Sequence, residues 1–218
     1  MIGFSLSKGF DSPLKILCLG AHSDDIEIGC AGTIFKLLEV YRHATVHWVV
    51  LGATLLRASE ARKSADDILR RAEKKVVVIR DFKNSFFPYL GGEIKEYFEQ
   101  IKTEFTPDLI LTHYRNDLHQ DHRVISELTW NAFRDQFILE YEIPKYDGDL
   151  GSPNAFVHLE ESIVQRKLDL ILGNFKSQQD RQWFDQDTFL AILRLRGMES
   201  NSPSRYAEAF YCRKILFG

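Results

Sequence analysis

The sequence predicts an α/β fold: a Rossmann-like, mostly parallel sheet with helices on both faces, followed by an irregular C-terminal elaboration. Short, continuous apolar runs alternate with segments whose apolar residues recur at helical spacing. This alternation favours parallel strands that are covered on both faces. It extends from residue 14 to about residue 135, and the chain beyond is less regular.

Four strand–helix units make up the regular part. The predicted strands are, in order, "LKILCLG", "TVHWVVLG", "KKVVVIR" and "PDLILTHY". The helices that follow them are "GTIFKLLEVYRHA", "SEARKSADDILRRA", "GEIKEYFEQIKTEF" and "DHRVISELTWNAFRD". This order is typical of a Rossmann-like layout.

The rest of the chain is less regular. A stretch rich in Pro and Gly, "EYEIPKYDGDLGSPNAFVHL", predicts a long excursion with one or two short strands. Two helices ("ESIVQRKLDLILGNF", "DTFLAILRLRGME") and a final strand ("YAEAFYCRKI") are predicted after it. We expect a single domain over residues 1–218, with a Rossmann-like core (14–135) and a pocket-forming C-terminal part (136–218).

Composition excludes several classes of protein. The 218 residues are 44% hydrophobic and carry a net charge of −3, which gives no electrostatic case for nucleic acid as a partner. No apolar run is long enough for a membrane span, and "MIGFSLSKGFDSP" lacks the pattern of a signal peptide. Three separated cysteines without a CxxC predict a reduced, cytoplasmic protein. The oligomeric state stays open, with a homo-oligomer among the alternatives.

Two polar clusters follow the first and fourth predicted strands. In open α/β sheets, ligands bind beyond the carboxyl ends of the strands, so both clusters are expected at one edge of the sheet. Taken singly, Asp24, Asp25 or Asp121 could simply cap a helix. The clusters are "HSDD", with His22, Asp24 and Asp25, and "HYRNDLHQDH", with His113, Asp117, His119, Asp121 and His122.

Adjacent carboxylates such as Asp24 and Asp25 repel each other in a low dielectric unless a cation compensates them. A divalent metal does so, and catalytic zinc commonly takes three protein ligands from His and Asp or Glu. Two histidines and one carboxylate can be drawn from the clusters. The carboxylate left over could then act as a general base towards water.

Two other readings of the first cluster are weaker. A dinucleotide-binding loop would need GxGxxG, which is absent, and the carboxylates would repel a pyrophosphate. A non-haem Fe(II) oxygenase could use an HxD…H facial triad. That reading leaves Asp25 and His119 unexplained, and the alternation of strands and helices does not favour it.

The motifs resemble those of the PIG-L / LmbE-like family of zinc-dependent N-deacetylases. "AHSDDIEIGCAGT" resembles the family's AHPDD…GxGGT signature, and "THYRNDLHQDHR" resembles its HPDH signature. "RASEARKSADDIL" and "YAEAF" resemble its Arg-x-x-Glu helix start and its closing strand. The departures, Ser23, Ala31 and Gln120, change residues that shape the backbone and leave the functional positions intact.

The resemblance implies a role for each matched residue. The metal ligands would be His22, Asp25 and His122. Asp24 would be the general base, and His119 would polarise the carbonyl or protonate the leaving amine. Asp121 would orient a neighbouring imidazole, and Arg57 would contact the substrate.

The resemblance also implies an activity. We expect removal of an N-acetyl group from an amino sugar or an N-acetylglucosaminyl conjugate, giving acetate and a free amine. The expected cofactor is Zn²⁺, with Fe²⁺ or another divalent metal as the alternative, and the expected partner is a small N-acetylated sugar. A catalytically silent member of the family that binds a sugar is the non-enzymatic alternative.

Overall fold

The computed structural model describes residues 13–216, and one seven-stranded sheet forms the centre of this part of the chain. The strands are β1 (Lys15–Gly20), β2 (Thr45–Val50), β3 (Lys74–Ile79), β4 (Leu109–His113), β5 (Phe137–Tyr141), β6 (Ala155–His158) and β7 (Ala207–Cys212). Their order is β3-β2-β1-β4-β5-β7-β6. Strands β1 to β5 are parallel, and β7 runs antiparallel to both of its neighbours.

Six α-helices cover the two faces of this sheet in the described residues. They are α1 (Asp25–Val40), α2 (Leu55–Ile68), α3 (Gly91–Glu104), α4 (Gln120–Ala132), α5 (Glu161–Asn174) and α6 (Gln186–Glu199). Helices α1, α2, α5 and α6 share one apolar core, and α3 and α4 share the other. Successive residues of a strand point to opposite faces, so β1 supplies Ile16 and Cys18 to the first core and Leu17 and Leu19 to the second.

The predicted α/β fold is confirmed, and each predicted strand and helix has a counterpart. Most of strand β5 (Phe137–Tyr141) was not predicted. Among the predicted elements, the largest difference lies in α1, which begins at Asp25 rather than near Gly32. Its helical geometry is interrupted once, at Cys30, where φ is −152°. The kink lies among the small residues of "GCAG" and explains why the apolar helical pattern becomes visible only after it.

A buried ion pair holds this kink. The carboxylate of Glu208 in β7 accepts hydrogen bonds from the Gly32 and Thr33 amides at 2.8 and 2.6 Å. Lys167 of α5 donates from Nζ to Glu208 Oε1 and to the Ile28 carbonyl oxygen, both at 2.6 Å. Backbone amide and carbonyl groups at the kink thus form hydrogen bonds with buried side chains inside the apolar core.

The strand order also fixes where the two polar clusters lie. Strand β1 pairs with β2 on one side and with β4 on the other, so the chain leaves β1 and β4 in different directions. Such a switch point opens a crevice beyond the carboxyl ends of the two strands. Both clusters begin there.

No helix within residues 13–216 is long and apolar enough to span a membrane. Nearly all of the N-terminal stretch considered as a signal peptide, residues 1–12, lies outside the described residues. Cys18 and Cys30 are buried, Cys212 is half-buried, and all three are unpaired.

Candidate metal centre

The carboxyl ends of β1 and β4 bring the two polar clusters together. His22, Asp24 and Asp25 occupy the turn after β1 and the start of α1, and His122 lies in the first turn of α4. All four side chains are buried. So many ionisable groups in one buried place require mutual compensation or a bound ion.

Three donor atoms in this cluster form a nearly regular triangle. His22 Nδ1 lies 3.2 Å from His122 Nε2 and 3.5 Å from Asp25 Oδ2, and the third edge, from His122 Nε2 to Asp25 Oδ2, is 3.6 Å. Zinc–nitrogen bonds of about 2.0–2.1 Å place neighbouring ligands of a tetrahedral site about 3.3 Å apart. The donor set therefore fits a small divalent metal, with a fourth position left for water or substrate.

Each histidine of the triangle has a carboxylate on its other ring nitrogen. Asp121 Oδ2 lies 3.1 Å from His22 Nε2, and Asp117 Oδ2 lies 2.9 Å from His122 Nδ1. Such carboxylates hold the proton on the nitrogen they face and turn the lone pair of the other nitrogen towards a metal. The arrangement is typical of histidines that bind metals.

Asp121 is itself held by the loop that follows β3. Its carboxylate accepts the amide hydrogens of Ser85 at 2.6 Å and Phe87 at 3.2 Å. Ser85 has a φ of 67°, a left-handed backbone conformation that costs a non-glycine residue free energy. This loop conformation thus supports the carboxylate behind His22.

Asp24 lies beside the triangle and is bonded on one side only. Its Oδ1 accepts a hydrogen bond from Arg57 Nη2 at 2.7 Å, while Oδ2 is buried without a hydrogen-bond partner in the described part of the chain. Burial raises the pKa of Asp24, and the Arg57 guanidinium opposes that rise. The structure therefore brings Asp24 and Arg57 to the same place, with one carboxylate oxygen unused.

His119 is the N-cap residue of α4, at the side of the triangle. Its Nδ1 accepts the Asp121 amide hydrogen at 3.2 Å, so a neutral ring carries its proton on Nε2. The ring centre lies 4.9 Å from that of His22 and 4.6 Å from that of His122. Its Nε2–H group is a hydrogen-bond donor next to the candidate metal position.

Two other groups of three residues are close enough to hold an ion: Asp25, His113 and His122, and His22, His119 and His122. His113 Nε2 lies 3.1 Å from Asp25 Oδ2, but it already accepts the Ala21 amide hydrogen at 2.9 Å. His119 lacks a carboxylate behind its ring. In the set His22, Asp25 and His122, both histidines have a carboxylate behind the ring and neither donor nitrogen accepts an amide hydrogen. Asp25 Oδ2 accepts the His22 amide hydrogen at 2.6 Å, but a carboxylate oxygen keeps a second lone pair, which an imidazole nitrogen lacks.

Electrostatics in the cluster follow from burial and from the opposite charges nearby. Burial raises the pKa of Asp25, but His122, His113 and His22 outweigh it and hold that pKa well below its usual range. Burial disfavours a charged His22, yet Asp25 and Asp121 together raise its pKa to about 9. Burial and His113 lower the pKa of His122 to about 3. Without a metal, the cluster thus holds an ionised Asp25, a protonated His22 and a neutral His122. A metal that binds here would displace the proton of His22, so metal binding is expected to be weaker at low pH.

The sequence did not indicate every contributor to this cluster. Asp117 stood in the second motif without a role, and the structure pairs it with both His122 and Lys145. Lys145 Nζ lies 2.9 Å from Asp117 Oδ2 and 2.6 Å from Asp149 Oδ2. No motif marks Lys145, because it comes from the irregular excursion before β6, and only the folded chain shows this contact.

Several solved structures share the fold at low sequence identity. N,N'-diacetylchitobiose deacetylase from Pyrococcus horikoshii, in complex with its inhibitor MPG, matches with a TM-score of 0.67 and 22% identity, over 91% of this chain and 83% of that one. The zinc-inhibited form of teicoplanin deacetylase Orf2 matches with 0.66 and 15%, over 90% and 97% of the two chains. GalB, the 4-carboxy-2-hydroxymuconate hydratase of Pseudomonas putida KT2440, matches with 0.68 and 15%, over 94% and 99%.

The family comparison rests on the sequence itself. A model of the family described as PIG-L, GlcNAc-PI de-N-acetylase, matches residues 17–133, which is more than half of the chain. The match runs from β1 through α4 and includes both polar clusters and Arg57. This chain therefore belongs to the PIG-L family.

Proposed function

We propose that this protein is a zinc-dependent deacetylase that hydrolyses the N-acetyl group of an amino sugar or an N-acetylglucosaminyl conjugate. The observation that carries the proposal is the triangle of His22, Asp25 and His122 with Asp24 beside it. Three donors satisfy a metal, and the fourth side chain keeps a buried carboxylate oxygen without a partner. A simple metal-binding protein has no use for that extra group.

Asp24 is the proposed general base. A bound divalent metal polarises an amide carbonyl and lowers the pKa of water. Asp24 Oδ2 then accepts a proton from the attacking water, while Arg57 holds Oδ1 and favours the ionised carboxylate. General bases of this kind contribute about 10²- to 10⁴-fold to rate.

His119 is the proposed hydrogen-bond donor to the substrate. Because Asp121 N–H occupies its Nδ1, the ring offers Nε2–H to the carbonyl oxygen as negative charge develops there. In this role His119 keeps its own proton. The proton that Asp24 takes from the water is therefore the one delivered to the departing nitrogen. Asp121 itself acts through His22, whose ring it orients.

Substrate binding is proposed for Arg57 and for residues 136–218. One Arg57 nitrogen bonds Asp24, which leaves other N–H groups of the guanidinium for sugar hydroxyls or an anionic group. A cavity of about 460 Å³ lies next to Lys145 and is lined wholly from this C-terminal part. We assign it to the portion of the substrate beyond the acetylated sugar. Its lining comprises Pro144, Lys145, Tyr146, Gly148, Leu150, Gln182, Trp183 and Thr188.

The test combines metal analysis with an assay of amine release. The panel is N-acetylglucosamine, its 1-phosphate, a nucleotide-linked form and an acetylated lysine peptide. Asp24→Asn is expected to keep the metal and to lower turnover by about 10²-fold or more, the scale of a lost general base. Asp25→Asn, the matched neighbouring change, is expected to weaken metal binding itself.

The outcomes separate the parts of the proposal. Near-normal turnover of Asp24→Asn would assign the base to another residue. Faster turnover of the peptide than of every sugar would remove the sugar assignment and leave the hydrolase intact. Bound metal without amine release from any compound would point to a silent binding protein. Addition of water to a carbon–carbon double bond would place the chain with the hydratase that shares its fold.

A further inference from the structure

A second groove lies away from the metal centre, between α4 and the chain that leaves β7. Its volume is about 610 Å³, and none of its lining residues belongs to the metal centre or to the cavity beside Lys145. We call it the Trp130 groove. Its defining residues are Arg115, Ser126, Trp130, Arg134, Arg213 and Lys214.

Three cationic groups gather around one indole ring in this groove. The guanidinium carbon of Arg213 lies 4.2 Å from the centre of the Trp130 ring. The guanidinium carbon of Arg115 and the ammonium nitrogen of Lys214 each lie 5.4 Å from it. The face of an aromatic ring attracts cations, which accounts for each contact singly. It does not remove the mutual repulsion of three like charges around one ring.

Carboxylates of the groove compensate only part of this charge. Glu140 is fully buried beneath it, where it bonds Arg115 at 2.9 Å and the Trp130 indole N–H at 2.5 Å. Glu127 is the one carboxylate in the described lining itself, so together with Glu140 beneath the groove two carboxylates stand against four cations. Within residues 13–216, Arg134, Arg213 and Lys214 form no ion pair. The groove thus has a net charge of plus two, in a chain whose net charge is −3.

A buried hydroxyl gives an independent indication of a ligand. Ser126 of α4 lines the groove and is fully buried, and its Oγ has no hydrogen-bond partner in the described structure. Buried polar atoms normally have a partner, so the unbonded hydroxyl of this lining residue is a donor without an acceptor. Its chemistry suits an acceptor oxygen.

We propose that the Trp130 groove binds the phosphate group of a small, soluble phosphorylated molecule. A phosphate offers up to two negative charges and several acceptor oxygens, which match the excess charge and the guanidinium, ammonium and hydroxyl donors. A carboxylate would satisfy only half of that charge. The volume exceeds what a phosphate alone occupies and leaves room for the molecule that carries it.

The test follows the indole N–H signal of Trp130 by NMR while inorganic phosphate is added to the full chain. The chain has three tryptophans, so the indole signals are few, and Trp130→Phe identifies the one that matters. We expect a saturable shift of that signal, and no saturable shift with acetate at equal ionic strength. The double variant Arg213→Gln/Lys214→Gln is expected to weaken phosphate binding about tenfold or more, since it removes two charged hydrogen-bond donors to the phosphate.

Arg166→Gln is the matched control, because Arg166 also lies over an aromatic ring, 3.7 Å from the centre of Phe35, but outside the groove. This variant should bind phosphate like the unmodified protein. Equal weakening in both variants, or no saturable shift, would overturn the proposal. Binding to vesicles that contain phosphatidic acid, without any shift by free phosphate, would overturn it in favour of a membrane surface. Arg134→Gln, a change at an exposed residue, serves if the double variant does not fold.

Discussion

At the residue scale, the proposed metal centre depends on two carboxylates that would not touch the metal. Asp121 faces His22 and Asp117 faces His122, each on the ring nitrogen that points away from the triangle. Removing either charge leaves all three ligands in place. It also frees the imidazole to turn or to carry its proton on the wrong nitrogen.

We predict that Asp117→Asn and Asp121→Asn each weaken metal binding by about 10- to 100-fold, the usual effect of losing such a partner. Competition with a chromogenic chelator measures this directly and does not depend on the substrate. Asp169→Asn, at an exposed carboxylate of α5, is the control and should keep the affinity of the unmodified protein. An unchanged affinity in both of the first two variants would contradict this account of the centre.

The sequence could indicate these side chains but not how they pair. The types and positions of His22, Asp25 and His122 favour a metal site on chemical grounds and by resemblance. Which nitrogen of His122 faces Asp117 depends on the turn between β4 and α4, which no periodicity reveals. The hydrogen bond from Arg57 to Asp24 likewise joins two residues that are 33 positions apart in the sequence, and it forms only in the folded chain.

At the scale of elements, the kink in α1 depends on the buried pair of Lys167 and Glu208. Both side chains are nearly inaccessible, and the carboxylate bonds two backbone amides as well as the ammonium. Removing one partner of a buried ion pair leaves an uncompensated charge in the core. This lowers the free energy of unfolding more than replacing both partners by apolar residues would.

Lys167→Met is therefore expected to lower the free energy of unfolding by about 3–5 kcal/mol, as measured by urea denaturation. Adding Glu208→Gln should recover part of that loss, because the stranded charge is then gone. Lys36→Met removes a matched but exposed pair with Glu160 and should cost about 1 kcal/mol or less. A Lys167→Met effect no larger than that of Lys36→Met would show that the pair does not hold the kink.

The kink also shows why the start of α1 was not predicted correctly. Its first five residues include Asp25, Glu27 and Gly29, whereas helical periodicity becomes visible only after Gly32. Gly29 is required by packing, since a Cβ there would lie 2.3 Å from the Tyr141 ring. The close contact between α1 and β5 thus requires glycine at this position, and glycine disfavours a helix when the sequence is considered alone.

At the scale of the whole molecule, a metal in the proposed centre would join segments that are distant in sequence. The ligand candidates Asp25 and His122 lie in α1 and α4, the helices that follow β1 and β4. A ligand that binds only the folded chain stabilises it in proportion to the logarithm of its concentration over Kd.

Chelation is expected to lower the thermal midpoint, and readdition of Zn²⁺ to restore it. At a zinc concentration 100 times Kd the gain is about 2.7 kcal/mol. For a domain of this size that corresponds to about 5–10 °C. Scanning calorimetry with His122→Ala should show no response to zinc, whereas His43→Ala, on the surface, should respond fully. A response of His122→Ala equal to that of the unmodified protein would exclude His122 as a ligand.

The global arrangement was the most predictable level. Four alternating strand–helix units predicted a mostly parallel sheet with both polar clusters at one edge, because ligands bind beyond the carboxyl ends of parallel strands. The strand order itself was not predicted, since several orders are compatible with right-handed crossovers. The excursion from β5 to β6 was predictable only as irregular. Its ion pairs from Lys145 to Asp117 and Asp149 depend on a path that no pattern encodes.

The pairing of β1 with β4 has a consequence for the time course of folding. Ile16 aligns with Leu109, so the strands meet only after a loop of more than ninety residues has closed, with β2 and β3 inside it. Contacts of such sequence separation form late and slowly. A metal ion at the proposed centre would therefore meet only His22 and Asp25, three residues apart, at the start of refolding. His122 would complete the ligand set only after β1 and β4 have paired, so zinc is expected to speed the refolding of this chain little and to stabilise its final state.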